Sequence, residues 1–340
     1  MVDFTLAIPT YNGAQRLPAL IARLRSQTDI PDLSWTILIV DNNSTDQTAA
    51  LVKQYAAEAK ATAQSPSMQN PSIQYAFAKE QGAAFARVKA MEVATSQWVG
   101  FLDDDVMPAL DWVASAVAFA QAHPEAGAYG GQIHGEFEVA PPDNFNRIKS
   151  FLALRERGST PHLYDPDNLS LPPSAAWVVN AQAWRENVLA KPVLGGRANG
   201  SMMQGDDYEP LLRMHKAGWK IWYAPSMHVA HQIPKSRLER GYLKSLSWGC
   251  GLCICPLRMI NARKWQRPIL WLKLTLSNFK RVVFHWLKYR RQIKTDLVAA
   301  CEMDFYLGSF ASPFYYLKTL VFPKAASSKA YRVLNRLSLR

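Results

Sequence analysis

Cysteine is scarce in this chain, with only four among 340 residues. Four thiols in a chain of this length do not form the disulfide framework of a small secreted domain, so we expect reduced thiols and a cytosolic protein. Three of them, Cys250, Cys253 and Cys255, are clustered and could hold zinc with a fourth ligand. Their very apolar surroundings and the lack of a second paired knuckle favour buried free thiols instead.

Long apolar segments are missing as well. The one uncharged run of 18 residues, 61–78, is rich in Ser, Gln, Asn and Pro, so the sequence predicts no membrane-spanning helix. The N-terminal segment MVDFTLAIPTYNG has an acid at Asp3 and no basic region, so we expect no signal peptide. What remains is an ordinary globular composition with 49% hydrophobic residues, enough for one large domain or two smaller ones.

Acidic residues are rare in the C-terminal third. Residues 232–340 hold 21 Lys and Arg against four acids, a net charge of +17, whereas residues 1–231 have a net charge of −5. Such asymmetry indicates a polyanion or an anionic membrane surface as the partner of the basic part.

The first hundred residues alternate apolar runs with helical patterns. Apolar runs in DFTLAIPTYN, SWTILIVDNN, SIQYAFA and QWVGFLDDD predict strands, and the segments between them have helical spacing. Strand alternating with helix predicts an α/β fold with a mostly parallel, doubly wound sheet and right-handed crossovers. Ligands of such sheets bind outside the carboxyl ends of the strands.

Polar clusters fall at or just beyond those predicted strand ends: Thr10–Asn12, Asp41–Asp46, Glu80–Gly82 and Asp103–Asp105. Their convergence predicts a ligand site at this edge of the sheet. Asp41 could accept hydrogen bonds from a base or ribose, while Ser44, Thr45 or Asp46 could cap the following helix.

The segment WVGFLDDDVMP places three carboxylates directly after a buried strand. Adjacent like charges repel one another and lose hydration at the end of a buried segment, so they need a counter-charge there. A solvated loop with surplus charge is the alternative, but the position directly after a buried strand argues against it, because ligands bind at such positions in this architecture. Mg²⁺ and Mn²⁺ prefer carboxylate oxygens, and Asp103 and Asp105 could clamp a metal or a ribose from one short turn. Without a bound cation, we expect the triplet to form a poorly ordered, strained loop.

A second acidic cluster, in GDDYEPLLR, precedes a predicted helix. Acids at a helix N-terminus are favoured by the helix dipole, which is a purely structural explanation for Asp206, Asp207 and Glu209. The charge of Asp206 would, however, raise the pKa of Asp207, which suits a general base. His231 ends the probable strand MHVAH; a lone histidine is more often structural than a ligand, but this one follows an acidic site.

Taken in order, IPTYNG, IVDNNSTD, the helix GAAFARVKA, FLDDDVMP, GDDYEPLLR and VAH resemble family 2 glycosyltransferases of the GT-A fold. The resemblance covers roughly residues 3–240, and the ordered set is more specific than any one motif. GDDYEPLLR and GWKIWYAP are similar to bacterial exopolysaccharide enzymes, including cyanobacterial hormogonium polysaccharide transferases.

The resemblance implies a role for each matching residue. Pro9, Thr10 and Tyr11 would line the nucleotide pocket, Asp41 would hold the base, and Arg87 would lie near the nucleotide or diphosphate. Asp103, Asp104 and Asp105 would form the DxD motif, with Asp104 near the ribose, Asp105 as leading metal ligand and Asp103 as a further ligand. His231 would ligate the metal or touch the diphosphate. Asp207 would be the catalytic base, although Asp206, where Glu is usual, leaves open which carboxylate faces the acceptor. The Gly195–Gly196 turn would shape the acceptor side.

The implied activity is inverting and dependent on Mn²⁺ or Mg²⁺. It moves a sugar from a nucleotide-diphosphate sugar, with UDP expected, to a saccharide or lipid-linked saccharide in extracellular polysaccharide synthesis. A sugar nucleotidyltransferase is an alternative, but it needs a basic residue for triphosphate in the first strand–helix loop, which offers only Arg16. The other alternative is a non-catalytic, membrane-associated scaffold that binds nucleotide sugars, and the intact acidic motifs speak against it.

The basic C-terminal region is predicted to be amphipathic and helical. Residues 271–294 mix Trp, Leu and Phe with Lys and Arg at helical spacing, as in a helix that lies in a membrane interface. An ordinary basic helix packed on the catalytic domain is the alternative. We therefore expect a catalytic domain over 1–240 and a membrane-associating region over 241–340, on the inner face of the cell membrane. No nucleic-acid partner is expected, because no recognised binding motif accompanies the charge.

Overall fold

The computed structural model describes residues 4–30, 33–62, 71–196 and 202–321 of the protein. Its strands are β1 Phe4–Thr10, β2 Trp35–Asp41, β3 Ser72–Phe77, β4 Trp98–Leu102, β5 Val106–Pro108, β6 Ala126–Phe137, β7 His162–Leu163, β8 Ala176–Asn180 and β9 Lys220–Ile233. Its helices are α1 Leu17–Arg25, α2 Thr48–Thr62, α3 Ala83–Val93, α4 Trp112–Ala122, α5 Ala181–Asn187, α6 Tyr208–Lys216, α7 Lys235–Leu238, α8 Arg240–Leu252, α9 Ile254–Asn261, α10 Arg267–Tyr289 and α11 Leu297–Val321.

The parallel part of the sheet is built from the four strands that the sequence predicts. β1 lies between β2 and β4, and β3 pairs with β2, all in parallel. β1, β2 and β4 are almost wholly buried, as expected of parallel strands whose two faces are both covered. The register places Thr10 opposite Asp41, so the ends of β1 and β2 meet at one edge.

The rest of the sheet runs antiparallel, so the prediction of a mostly parallel sheet is wrong in this detail. Within the described residues the sheet has nine strands, in the order β3-β2-β1-β4-β8-β6-β9-β5, with β7 beside β9. β8 is antiparallel to both β4 and β6, and β5 and β7 are antiparallel to β9. The predicted α/β class holds, but the sheet is mixed.

The chain divides into two compact units. Of the described residues, the sheet unit comprises those between 4 and 136, 154–195 and 206–232, and the helical unit comprises those in 137–153, 196, 202–205 and 233–321. The predicted boundary at 240 lies close to the last of these divisions. The sequence does not signal that two short internal segments belong with the C-terminal helices.

The helical unit is centred on the contact between α8 and α11. A side chain at Gly308 would place its Cβ 2.5 Å from the carbonyl oxygen of Trp248, and one at Gly251 would lie 2.3 Å from that of Phe305. Only glycine therefore allows the two helices to approach this closely. α10 packs on α11 in turn. Within the part of the chain that the structure covers, no helix combines the length and hydrophobicity needed to cross a bilayer.

All four cysteines are free thiols, as the sequence predicts. Burial raises the pKa of Cys255 and of Cys301 to about 12, which keeps both protonated and unreactive at neutral pH. Cys250 is only half-buried, so the prediction of buried thiols is wrong for this one of the three clustered cysteines.

Candidate active site

The carboxylate triplet forms a closed turn between β4 and β5. The Asp103 amide donates to the Ala175 carbonyl at 3.2 Å, and the Val106 amide donates to the Asp103 carbonyl at 3.3 Å. None of the three aspartates has a left-handed backbone. The backbone of the triplet is therefore regular in this structure, and the expectation of a poorly ordered loop without a cation stays a prediction.

Asp104 is held by Arg16. The arginine Nε donates to Asp104 Oδ1 at 2.9 Å and its Nη2 donates to Oδ2 at 2.8 Å, a two-point ion pair. The Thr10 hydroxyl donates to the same Oδ2. Burial raises the pKa of Asp104, and Arg16 opposes that rise. The loop between β1 and α1 is thereby fastened to the triplet.

Gly13 allows this fastening. A Cβ at this position would lie 2.0 Å from Thr10 Oγ1 and 2.9 Å from Asp104 Oδ2, closer than any carbon can approach. The Gly13 amide donates to the Thr48 hydroxyl at 2.9 Å, which joins the loop to the start of α2. The glycine of the motif YNG is therefore a steric requirement of the site.

Asp105 faces His231. Strand pairing sets Val106 of β5 opposite His231 of β9, and this places His231 Nε2 3.6 Å from Asp105 Oδ1. Burial, together with the charge of Asp105, raises the pKa of Asp103 to about 6, while Arg87 and His231 act in the opposite direction. Asp103, Asp105 and His231 are thus brought together, as the sequence predicts.

Arg87 is not exposed toward a ligand in this structure. Its guanidinium is buried, with Nη1 at 2.8 Å from Asp206 Oδ2 and Nη2 donating to the Ser174 hydroxyl at 2.7 Å. Burial opposes its charge, but the neighbouring carboxylates, Asp206 first, outweigh this and raise the pKa of Arg87. Arg87 and Asp206 therefore form a buried ion pair beside the site, and a donor contact by Arg87 stays a prediction.

Asp207 stands at the beginning of α6 but does not cap it with its side chain. Its Oδ2 accepts from the Ser174 amide at 3.3 Å. Burial and the charge of Asp206 raise the pKa of Asp207 to about 6, with Arg87 opposing the rise. A carboxylate with this pKa is largely ionised at pH 7 and still basic enough to accept a proton. Ser174, which bridges Arg87 and Asp207, was not found by sequence analysis because a serine in a proline-rich loop has no local signal.

Asp41 lies at the end of β2 and is only 2% exposed. Its Oδ1 accepts from the Ser44 amide at 2.9 Å and its Oδ2 accepts from the Tyr75 hydroxyl at 3.0 Å. Burial and this hydrogen bond raise the pKa of Tyr75 to about 12, so Tyr75 remains a donor. Each oxygen of Asp41 keeps a further lone pair, so a base could share it.

The three predicted pocket residues of the first motif occupy the end of β1 and its loop. Pro9 is half-buried and pairs with Val40 in β2, while the side chain of Tyr11 is exposed. Arg16 Nη2 donates to the Tyr11 carbonyl at 3.1 Å. Arg16 thus connects this loop to Asp104, a role that the sequence analysis did not assign to it.

The residues at the triplet fit a divalent cation only in part. Asp105 and His231 offer an oxygen and a nitrogen donor that converge within 3.6 Å, and both side chains are largely buried. No group of three or more His, Cys, Asp or Glu side chains is arranged as a metal site in the described ranges. Mg²⁺-like ions are held by one or two carboxylates when substrate phosphates complete the coordination, and Asp105 supplies one such carboxylate.

Comparison with known proteins decides the family. The model of Glycosyl transferase family 2 matches residues 5–175, half of the chain, and contains β1 to β4 and the triplet. The chain belongs to glycosyltransferase family 2. Its mixed α/β fold with a large central sheet is the GT-A fold that the sequence resemblance implied.

Two relatives are similar over the N-terminal part. The pre-mycofactocin glycosyltransferase of Mycobacterium tuberculosis is 31% identical over 157 residues, 44% of this chain and 30% of that protein. The poly(ribitol-phosphate) beta-N-acetylglucosaminyltransferase TarS of Staphylococcus aureus is 27% identical over 123 residues, 36% of this chain. The match to TarS spans only 20% of TarS, so neither relative is matched over most of its own length.

Among solved structures, the mannosyltransferase PcManGT of Pyrobaculum calidifontis, in complex with GDP-Man and Mn²⁺, is similar with a TM-score of 0.53 and 18% identity. That likeness covers 93% of this chain and 86% of the other. A structure of GalNAc-T7 with UDP, GalNAc and Mn²⁺ has a TM-score of 0.50 and 15% identity, over 74% of this chain and 48% of its own. At these identities the likeness shows the fold.

Proposed function

We propose that the protein transfers a sugar from a nucleotide-diphosphate sugar to a hydroxyl of an acceptor, with inversion at the anomeric carbon. The observation that carries the proposal is Asp207, a half-buried carboxylate with a pKa of about 6 that, among the described residues, is engaged neither in an ion pair nor as a side-chain helix cap. Asp206, the other candidate base, is tied to Arg87 at 2.8 Å. This contrast supports Asp207 as the base and Asp206 as part of the frame that orients it.

The reaction then needs one base and one leaving group. Asp207 takes the proton of the acceptor hydroxyl as its oxygen attacks the anomeric carbon. A new carbon–oxygen bond forms, the bond to the diphosphate breaks, and the nucleoside diphosphate departs with the electron pair. The transition state resembles the oxocarbenium-like state of inverting glycosidases.

The donor would bind at the shared edge of β1, β2 and β4. The end of β1 at Thr10, the end of β2 at Asp41 and the triplet meet there. Pro9, Tyr11 and Asp41 would receive the nucleoside, with uracil as the expected base. Asp104 would receive the ribose once its ion pair with Arg16 opens, and the guanidinium of Arg16 would then be available to the diphosphate.

A divalent cation, Mn²⁺ or Mg²⁺, would be held by Asp105 and His231, with Asp103 close by. When bound, such an ion neutralises charge that develops on a diphosphate leaving group. The support for a cation here is the approach of Asp105 and His231 to 3.6 Å, next to Asp103, whose pKa is raised by burial and by the charge of Asp105.

We further propose that the acceptor is a saccharide or a lipid-linked saccharide and that the product contributes to an extracellular polysaccharide. The protein would work at the inner face of the cell membrane as a peripheral protein. The support is the net charge of +17 over residues 232–340, which suits an anionic surface.

The test removes the base without removing the donor site. Asp207→Asn should lower sugar transfer, followed by mass spectrometry over a panel of UDP- and GDP-sugars, by roughly 100- to 10,000-fold. Calorimetry should find binding of UDP with Mn²⁺ nearly unchanged in this variant. Asp111→Asn, an exposed aspartate before α4, is the matched control and should keep full activity. Undiminished transfer by Asp207→Asn would remove Asp207 from the role of base.

A further inference from the structure

Exposed large apolar side chains are concentrated on α10. Six of them recur every three or four residues along this helix and therefore share one face, which we call the apolar stripe: Ile269, Leu272, Leu276, Phe279, Val283 and Leu287. The exposed fractions of Leu272, Leu276 and Phe279 are 53%, 55% and 52%. An ordinary surface helix buries its apolar face, so this arrangement needs an explanation.

The other side of α10 is already engaged. Asn278 Nδ2 donates to the Ser309 carbonyl at 3.1 Å, and His285 Nε2 donates to the Ala299 carbonyl at 2.9 Å. Asn278 and His285 are seven residues apart, on one face of the helix, and both are buried. α10 is thus fixed to α11 through buried polar contacts, and its apolar stripe is left on the outside.

The end of α11 extends this surface. The ring of Phe310 lies 5.8 Å from that of Phe279 on α10 and 5.8 Å from that of Phe314. Trp271 of α10 contacts Phe314 edge-on at 5.4 Å. Exposed apolar side chains continue from there to the last described turn of α11: Phe314, Leu317, Leu320 and Val321. The stripe and these residues form one continuous apolar face on two helices, larger than scattered surface side chains would make.

The charge around the face is of one sign. Residues 263–294 contain ten Lys and Arg and no Asp or Glu. Lys273 and Lys280 each follow a stripe residue directly, so they border the stripe. Exposed Trp265 and Trp286 lie near its two ends. Lys, Arg and Trp around an apolar face are the composition of helices that lie in a membrane interface.

We propose that this apolar face lies flat on an anionic lipid bilayer, with the stripe at the boundary between headgroups and acyl chains and the lysines and arginines at the lipid phosphates. A second copy of the chain is a poorer occupant, because it would bring a second set of ten unopposed positive charges to the same surface. The inference names the surface by which the protein would bind the membrane of the proposed function. It rests on that function only for the reason why the protein would bind a membrane at all. Lipid binding itself needs neither donor nor cation.

The experiment measures sedimentation of the full chain with vesicles of phosphatidylcholine containing about one third phosphatidylglycerol, and with phosphatidylcholine alone. The wild type should bind the anionic vesicles at least about tenfold more strongly. Leu272→Gln/Leu276→Gln/Val283→Gln should lower the partition coefficient by about tenfold or more. Lys273→Gln/Lys280→Gln should lower it only on anionic vesicles. Leu163→Gln, a leucine 49% exposed in the sheet unit, is the matched control and should bind as wild type.

Two outcomes would overturn the proposal. One is vesicle binding by the triple variant equal to wild type. The other is a lipid-free dimer of wild type in sedimentation velocity that the triple variant abolishes, since the occupant would then be a second copy. Circular dichroism checks that the variant is folded. If the triple variant is not folded, the test uses tryptophan fluorescence of the wild type with vesicles whose lipids are brominated in the acyl chain. These lipids should quench the fluorescence of the wild type, and the quenching should be weaker in Trp265→Phe. Equal quenching of the two proteins would overturn the proposal.

Lipid binding and catalysis can fail separately. The triple variant should bind UDP with Mn²⁺ as wild type does, and Asp207→Asn should sediment with vesicles as wild type does. A variant that loses sugar transfer but sediments with vesicles is defective in the active site alone. A variant that no longer sediments with vesicles but still binds UDP is defective in the apolar face alone.

Discussion

Gly13 determines whether the first loop can close over the carboxylate triplet. Any side chain there would collide with Thr10 Oγ1 at 2.0 Å. We expect Gly13→Ala to lower the free energy of unfolding by about 1–3 kcal/mol, through overpacking, and to weaken UDP binding measured by calorimetry. The control is Gly241→Ala in α8, where no atom lies within 4 Å of the new Cβ. Alanine should stabilise that helix by about 0.5–1 kcal/mol in urea unfolding. Equal effects of the two substitutions would contradict the steric role of Gly13.

Two carboxylates of the site carry a pKa of about 6, Asp103 and Asp207. Both must be ionised, one to accept a proton and the other to favour a cation, so kcat/KM should fall steeply as the pH drops below about 6. In Asp207→Asn, the affinity for UDP with Mn²⁺ should still fall below about pH 6, because Asp103 is present and becomes protonated there. Binding that is independent of pH between 5 and 7 in this variant would contradict the placement of Asp103 at the cation.

The same shifts have a consequence for stability. Each folded-state pKa is above the ordinary aspartate value, so the folded protein binds these protons more tightly than the unfolded chain does. Their contribution to stability is present in acid and is lost as the pH rises through about 6. The active form of the site is therefore its less stable form, and the Arg87–Asp206 pair is part of what holds it together.

At the scale of secondary-structure elements, the sequence predicted the sheet correctly where neighbouring strands are close together along the chain. β1 to β4 alternate with helices, and the polar residues at their ends were predicted to meet; Thr10, Asp41 and Asp103–Asp105 do so. β6 and β9, in contrast, are nearly a hundred residues apart along the chain, and a neighbouring strand at that distance leaves no local pattern. His231 was singled out because it ends the predicted strand MHVAH, although β9 continues to Ile233, and its pairing with Asp105 could be assigned only by resemblance.

For the C-terminal helices, too, the sequence predicted the element but not which of its faces is packed. The composition of 271–294 allowed either a helix packed on the catalytic domain or one in a membrane interface. α10 has a side that packs on α11, marked by Asn278 and His285, and an apolar outer side, and its place in a membrane interface stays a prediction. The outer position of the stripe could not be predicted, because buried Asn and His are not what a packed face usually contains.

At the scale of the whole molecule, the charge of +17 over residues 232–340 will attract any polyanion, so attraction alone cannot identify the partner. What distinguishes a bilayer is the apolar face, which a nucleic acid cannot bury. Attraction to phosphates alone falls steeply with salt, whereas burial of apolar surface does not.

We therefore expect the full chain to bind duplex DNA at about 50 mM salt without sequence preference, and to lose on the order of a thousandfold in affinity by about 200 mM. Binding to anionic vesicles should fall less over the same range, because Leu272, Leu276 and Phe279 are then inserted. Fluorescence anisotropy with two unrelated duplexes and vesicle sedimentation in the same buffers measure both. In the triple variant, which keeps every lysine and arginine, DNA binding should equal that of wild type while vesicle binding acquires the steep salt dependence of DNA. Parallel salt curves for DNA and vesicles in the wild type would mean that charge alone holds the protein to the membrane.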